Sequence, residues 1–324
     1  MRVLVTGGAG HVGNNVVRAL LEDGHEVRCL IRSDDEALEG LNVERVTGDL
    51  LNRDSLRASL SGMEAVIHSA AFVGLNQSEA EKMHAINVEG TRTLLEESDA
   101  AKVRRFVHFS SVHGLRQGPF DEPLTETNAL ADSPEDHPYD RTKAQAERLI
   151  LNHSNDGLKT CVLNPTAILG PHDYKPSRLG KVVRALGNGE MPVLVDSGFD
   201  FVDVRDVAQA TVVALQSEHH RERFLLGGRW TSFQTLAQTA NRAAGKKTPR
   251  LFLPLKFAKS VAPLGDFWSG VTGKSVSFSR GSLYMLVHQN PNVDSGKAKR
   301  ELDYTPRNFE ETVKDTLTWW EGRG

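Results

Sequence analysis

The stretch Val3-Leu4-Val5-Thr6-Gly7-Gly8-Ala9-Gly10-His11-Val12-Gly13 constrains this chain more than any other. An apolar, β-branched run ends in a glycine-rich turn, and a helix-like segment, Asn14 to Glu22, follows at once. That order predicts a strand, a tight turn and the open amino end of a helix. Unpaired N–H groups and partial positive charge at such an end suit a pyrophosphate. Glycine serves where backbone must turn sharply or come close to a phosphate. Glycines alone say little; these sit between the first strand and first helix of a βαβ unit, which is the setting a phosphate turn needs.

The first half continues that alternation. Short β-branched runs at Glu26–Ile31, Asn42–Thr47, Ala65–His68, Arg105–Phe109 and Leu158–Leu163 are separated by helical patterns, among them Asp54–Leu60, a long one from Ser78 to Ser98, and Tyr139–His153. This is the signature of a parallel sheet with helices on both faces. From Val112 to Pro138 no period holds, so a long loop is expected, and long loops in compact domains are usually functional. Ser177–Leu186 reads as a helix and Val193–Val195 as a short strand. Phe201–Val204 reads as a strand leading into a helix from Arg205 to Gln216, and Phe224–Leu226 as the seventh strand of the main sheet. The remainder, from Thr231, reads as mostly helical. No clean linker separates it, so it is expected to pack directly on the sheet.

Composition narrows the function classes. At 324 residues, 39% hydrophobic and 25% charged, the chain can bury a large core. A net charge of −3 gives no basic footprint for nucleic acid. No apolar run approaches a membrane span. A strand beginning at residue 3 leaves no room for a signal peptide. Cys29 and Cys161 lie in apolar strand-like runs and read as buried thiols. A cytoplasmic location is the resulting expectation. The twelve histidines include no pair at ligand spacing with a carboxylate, so no metal site is expected. His219-His220 beside Glu218 reads as a solvated turn.

A second constellation is Tyr139-Asp140-Arg141-Thr142-Lys143. Four apart on a helix, Tyr139 and Lys143 share a face. A phenol titrates near 10, and a nearby ammonium draws that value toward the working range of an acid–base catalyst. The helix follows the long loop, and the loop follows a strand ending in Ser110-Ser111, at the carboxyl edge where ligands of such sheets bind. A hydroxyl there can share a substrate oxygen with Tyr139.

Together these residues resemble an extended short-chain dehydrogenase/reductase of the NAD-dependent epimerase/dehydratase family. Supporting stretches are Gly48-Asp49-Leu50, His68-Ser69-Ala70-Ala71, Asn87-Val88-Glu89-Gly90-Thr91, Asn164-Pro165-Thr166 and Phe201–Val207. The resemblance covers residues 1 to about 230. It implies a Rossmann-type doubly wound parallel sheet of about seven strands with a smaller, mostly helical C-terminal substrate region. Residues 1–170, with 201–228 returning, would bind the dinucleotide; 171–200 and 229–324 would bind substrate. Gly7, Gly10 and Gly13, with His11 and Val12, would cradle the pyrophosphate, and Asp49 and Leu50 would lie by the adenine. Ala70 and Ala71 would line the cofactor channel, Asn87 would support the site, and Pro165 and Thr166 would border the nicotinamide. Tyr139 would be the proton donor or acceptor, Lys143 would hold the nicotinamide ribose and depress the Tyr139 pKa, and Ser111 would hydrogen-bond the reacting oxygen. The family also implies a homodimer through the helices at Ser78–Ser98 and Tyr139–His153, although some members are monomers.

NAD-selective members place a carboxylate at the end of the second strand. Here that position is Ile31, followed by Arg32, whose guanidinium suits the 2′-phosphate of NADP. Asp34 and Asp35 keep NAD as the alternative. Val162–Pro171 resembles the dihydroflavonol-reductase-like branch. The expected activity is hydride transfer to a carbonyl of a small organic substrate, or the reverse; a nucleotide-sugar epimerase with tightly held cofactor and a non-catalytic NADP sensor are the alternatives. Substrate contacts are expected from the loop after Ser111, including His113, Arg116 and Gln117, from Tyr174, Lys175 and Arg178, and from residues beyond Phe252.

Overall fold

A computed structural model describes residues 1–33, 36–74, 76–191, 193–247, 251–255, 284 and 287–323. Seven strands form the main sheet: β1 (Arg2–Thr6), β2 (Glu26–Ile31), β3 (Val43–Thr47), β4 (Ala65–His68), β5 (Arg105–Phe109), β6 (Lys159–Pro165) and β10 (Glu222–Leu226). Their order is β10-β6-β5-β4-β1-β2-β3 and every pairing is parallel. The order reverses at β1, which pairs with β2 on one side and β4 on the other. In such sheets ligands bind in the crevice beyond the carboxyl ends at this switch point.

Period-2 alternation explains the two faces. Val3, Val5, Val27, Cys29, Ile31, Ala65, Ile67, Val107, Phe109, Cys161 and Leu163 pack on α1 (His11–Glu22) and α7 (Val204–Gln216). The residues between them, Leu4, Leu30, Val66, Phe106 and Val162, pack on α2 (Arg53–Leu60), α4 (Gly90–Ala100) and α5 (Pro138–Leu151). Each fully buried Leu, Ile, Val or Phe contributes roughly 1.5–3 kcal/mol relative to exposure, and both faces are covered, as parallel sheets require. Cys29 and Cys161 are free, buried thiols, and burial pushes each up to about 12.

Beyond β6 the chain builds a second layer. β7 (Ala167–Leu169), β9 (Gly198–Asp203) and β11 (Arg229–Ser232) form a three-stranded sheet, and β8 (Val193–Asp196) pairs with β12 (Leu251–Pro254). They enclose a third core with α6 (Arg178–Asn188), α8 (Phe233–Ala243) and α10 (Phe309–Glu321). A short α9 (Gly296–Glu301) packs on β10. The region after Thr231 therefore carries strand β12 as well as helices. The chain crosses between layers where β9 runs into α7. Asp203 caps that helix through Arg205 N–H at 2.8 Å. The Arg205 and Arg307 guanidiniums reach Asp315 and Asp206, each at 2.7 Å, and fasten the C-terminal segment there.

Three other expectations shift. The long helix at Ser78–Ser98 is interrupted: α3 (Ala80–His84) passes into a π-helical turn, Ala85–Glu89, and then α4. The wide turn places Asn87, whose amide bridges the Phe72 backbone (Oδ1 from N–H at 2.7 Å, Nδ2 to C=O at 3.0 Å) and the Thr142 hydroxyl at 3.2 Å. Strand β6 runs through Pro165, opposite Leu226, instead of breaking before it. The stretch Val112–Pro138 is ordered by a 3-10 turn, Val112–Gly114, and by bridges Leu115–Leu130 and Leu124–Val293.

Candidate active site

Gly7 lies at φ 77°, the left-handed region that favours glycine, and a Cβ there would stand 2.7 Å from Ala70 N. A Cβ on Gly13 would overlap the Gly7 carbonyl. The turn closes with Gly10 N–H donating to Gly7 O at 2.8 Å. At the amino end of α1, Gly10 supplies no side-chain cap and no acid occupies the first turn. By contrast α2, α5, α6, α7, α8 and α10 are capped by Asn52, His137, Ser177, Asp203, Ser232 and Asn308. The orphan N–H groups of α1 are thus left for an anion at the switch point, and a dinucleotide pyrophosphate fits them.

His11 turns its ring away from the turn. Its Nε2–H is shared between the carbonyls of Gly170 and Pro171, each at 3.2 Å, and burial pulls its pKa below the ordinary value. Val12 is half-buried beside it. Arg32 is exposed just past the end of β2; Asp34 and Asp35 lie outside the described residues. Asp49 is exposed and accepts from Leu51 N–H at 2.8 Å, while Leu50 is buried in the core. Ala70 is half-buried and Ala71 exposed at the end of β4. Pro165 is buried and Thr166 half-buried at the end of β6.

Beneath β4 a polar relay supports this edge. The Thr91 hydroxyl donates to Asn87 O at 2.7 Å, so it accepts from His68 Nε2–H at 2.9 Å. His68 Nδ1 then accepts from the Thr6 hydroxyl at 2.6 Å. Burial, with the Lys143 charge nearby, drives the His68 pKa down to about 3, so the ring is neutral.

Tyr139, Lys143 and Ser111 come together at the carboxyl end of β5. Tyr139 and Lys143 lie one turn apart on α5, 9% and 5% exposed. The Ser111 hydroxyl is near enough to the Tyr139 phenol to favour its ionised form. Burial nonetheless raises the phenol to about 12, with Asp140 adding to the rise and Arg178 opposing it. Lys143 Nζ donates to Phe109 O at 2.7 Å, and burial lowers its pKa to about 8 against the attraction of Glu147. Ser111 Oγ accepts from His113 N–H at 3.2 Å, which leaves its own proton free to donate.

The expected substrate residues separate. Arg178 alone is near enough to Tyr139 for the two to influence each other's charge. His113 is buried, its Nδ1 3.8 Å from Asp140 Oδ1, and burial lowers it to about 4. Arg116 lines a different cavity of about 460 Å³ with Phe120, Asp136, Asp140, Tyr284 and His288. Tyr174 accepts from Arg18 at 3.1 Å and meets Trp319 and Arg323. Of the other loop contacts expected, Gln117 is engaged internally, bonding Val112 O and Asn290 N. Two buried residues of this corner have no role assigned by the sequence reading. Glu147 continues the Tyr139–Lys143 face by one more turn, a spacing that was legible, and Asn164 meets it from β6 at 2.8 Å. Among the described residues one set, His219, Glu222 and Glu301, has ligand atoms close enough for a metal, and Lys297 already holds Glu222 at 2.8 Å.

Comparison with known proteins identifies the fold's relatives. The model of the NAD dependent epimerase/dehydratase family matches residues 3–227. Sterol demethylase protein B of Methylococcus capsulatus is 35% identical over 100% of this chain and 99% of its own length. A Synechocystis protein named, provisionally, a dihydroflavonol 4-reductase is 31% identical over 99% of this chain and 94% of its own. The crystal structure of gox2253 superposes with a TM-score of 0.86 at 32% identity, covering 99% of this chain and 98% of that one. The chain belongs to the NAD dependent epimerase/dehydratase family and is an enzyme of its extended short-chain dehydrogenase/reductase type.

Proposed function

We propose that the protein is an NADP-dependent oxidoreductase that reduces a carbonyl of a small organic substrate, or oxidises the matching alcohol, at a Ser111–Tyr139–Lys143 site. The observation that carries this is the convergence of the Ser111 hydroxyl, the Tyr139 phenol and a buried Lys143 at the carboxyl edge of the sheet. A nicotinamide bound there supplies or accepts the hydride. Tyr139, held near 12, keeps its proton at neutral pH and gives it to the carbonyl oxygen. Ser111 donates a hydrogen bond to that oxygen as charge builds on it. Lys143 holds the ribose hydroxyls, and Arg178, whose charge reaches the phenol, contacts the substrate.

Residues 1–170 and 201–228 serve the dinucleotide in this reading, and 171–200 with 229–324 serve the substrate. Arg32 grips the 2′-phosphate. Sterols and dihydroflavonols are polycyclic alcohols, so the names of the two relatives favour a ring-borne ketone or secondary alcohol. Two copies pair through the helical stretch Ser78–Ser98, which holds α3 and α4, and through α5; a groove between them is lined by His84, Val88, Arg92, Gln145, Arg148 and Leu149. The test is a panel of polycyclic ketones, simple aldehydes and nucleotide sugars with NADPH and NADH, followed by cofactor absorbance. Net NADPH consumption with a ketone supports the reading. Tightly retained cofactor with no net turnover, and interconversion of a nucleotide sugar, would replace it with an epimerase.

A further inference from the structure

Resting on the Ser111–Tyr139–Lys143 reading, we infer that Asn164 and Glu147 are positioning residues that hold the Ser111 corner in register with Tyr139. Both are fully buried, at 0% exposure. Asn164 sits on β6 and faces α5, the same side as Val162. Its Nδ2 spends both protons: one goes to Ser111 O at 3.0 Å and the other to Glu147 Oε2 at 2.8 Å. Glu147 Oε1 is paired with Arg223 of β10 at 2.8 Å, and Arg223 is itself anchored on Asn128 O at 3.2 Å. The chain of contacts therefore runs from β10 through Arg223, Glu147 and Asn164 to the backbone of Ser111.

The Ser111 carbonyl needs that hold. Strand β5 ends at Phe109, and the chain turns at once into the 3-10 turn Val112–Gly114. Ser111 O accepts from Gly114 N–H at 2.9 Å and from Asn164, so the amide fixes the corner from outside the turn. A Cβ on Gly114 would lie 3.4 Å from Glu147 Oε2, so the turn packs against the carboxylate. Displacing a catalytic hydroxyl by about 1 Å costs on the order of 100-fold in rate.

Glu147 dictates which way the Asn164 amide faces. A carboxylate only accepts, so Asn164 must present its NH₂. In Glu147→Gln the guanidinium of Arg223 takes the one oxygen. The glutamine NH₂ then faces Asn164 and turns that amide round, and Ser111 O meets an oxygen instead of a donor. An isosteric change two residues away in the relay thereby reaches the reacting hydroxyl.

The experiment is a double-mutant cycle. Asn164→Ala and Glu147→Gln are each made in the wild-type and Ser111→Ala backgrounds, and kcat is measured with NADPH and the best ketone of the panel, with NADPH affinity measured separately. The expected result is a fall in kcat of at least tenfold for either variant in the wild-type background, NADPH affinity within twofold, and less than a twofold further fall in the Ser111→Ala background. Equal losses in both backgrounds, or no loss in the wild-type one, overturn the inference. Should Asn164→Ala fail to fold, the isosteric Glu147→Gln carries the same cycle. If Ser111→Ala alone keeps wild-type kcat, it is the Ser–Tyr–Lys reading that fails.

Discussion

Lys143 Nζ donates a 2.7 Å hydrogen bond to the carbonyl of Phe109, the last residue of β5, from a side chain almost wholly withdrawn from water. Desolvation lowers its pKa from 10.5 to about 8. Below pH 8 the folded protein carries a buried ammonium. Between about 8 and 10.5 the unfolded chain binds the proton and the folded one does not, so stability rises with pH across that window.

Replacing Lys143 by Met should therefore stabilise the fold near pH 7 while abolishing turnover. The gain is expected to be about 3 kcal/mol at most, less about 1 kcal/mol for the lost hydrogen bond. It should shrink toward zero as pH approaches 10.5. Urea unfolding of both proteins at pH 7 and pH 10 checks this; an equal difference at the two pH values would contradict it.

Tyr139→Phe removes the phenolic proton and leaves the ring in place. Turnover should fall by about 10² to 10⁴-fold, while NADPH affinity and the unfolding midpoint change little. A variant retaining a tenth or more of wild-type kcat would remove Tyr139 from the proposed proton transfer.

Gly13→Ala drives a methyl into the Gly7 carbonyl, with Ser69 Oγ also only 2.8 Å away. The turn must widen, at a cost of about 1–3 kcal/mol, and its N–H groups lose their common focus. NADPH affinity measured by fluorescence titration should drop at least tenfold, with a lowered melting temperature. Unchanged affinity would show that the dinucleotide does not rest on this turn.

Arg32→Ala tests cofactor choice. Loss of a charged hydrogen bond to a phosphate amounts to about 1.5–3 kcal/mol, so KM for NADPH should rise roughly ten- to hundredfold and KM for NADH should hold. Equal changes for both cofactors would mean that Arg32 does not read the 2′-phosphate.

The main sheet was legible because its strands are short runs that alternate with helices, and the structure keeps Glu26–Ile31, Ala65–His68 and Arg105–Phe109 at the predicted bounds. The glycine turn and the Tyr139–Lys143 face were legible for the same reason: both are local patterns. The π-helical turn was not, because Asn87 is drawn out by partners 15 and 55 residues away. Strand β12 was hidden because its pairing with β8 depends on a partner nearly 60 positions earlier in the chain. The role of Asn164 escaped for a related reason, since its partners Ser111 and Glu147 come from two other elements. Among the expected substrate residues, position along the chain did not reveal that Arg116 opens on a cavity lined by Asp140 and Tyr284.

The ring of His11 has a mechanical consequence. It rivets the first turn of α1 to Gly170 and Pro171, just past β7, the first strand of the second layer, and Asn15 adds a bond to Pro171 O at 3.0 Å. The glycine turn and the exit of β7 are thereby one rigid corner. Any opening of the cleft between the two layers has to swing about some other joint, and the phosphate end of the crevice keeps its shape while the far end moves.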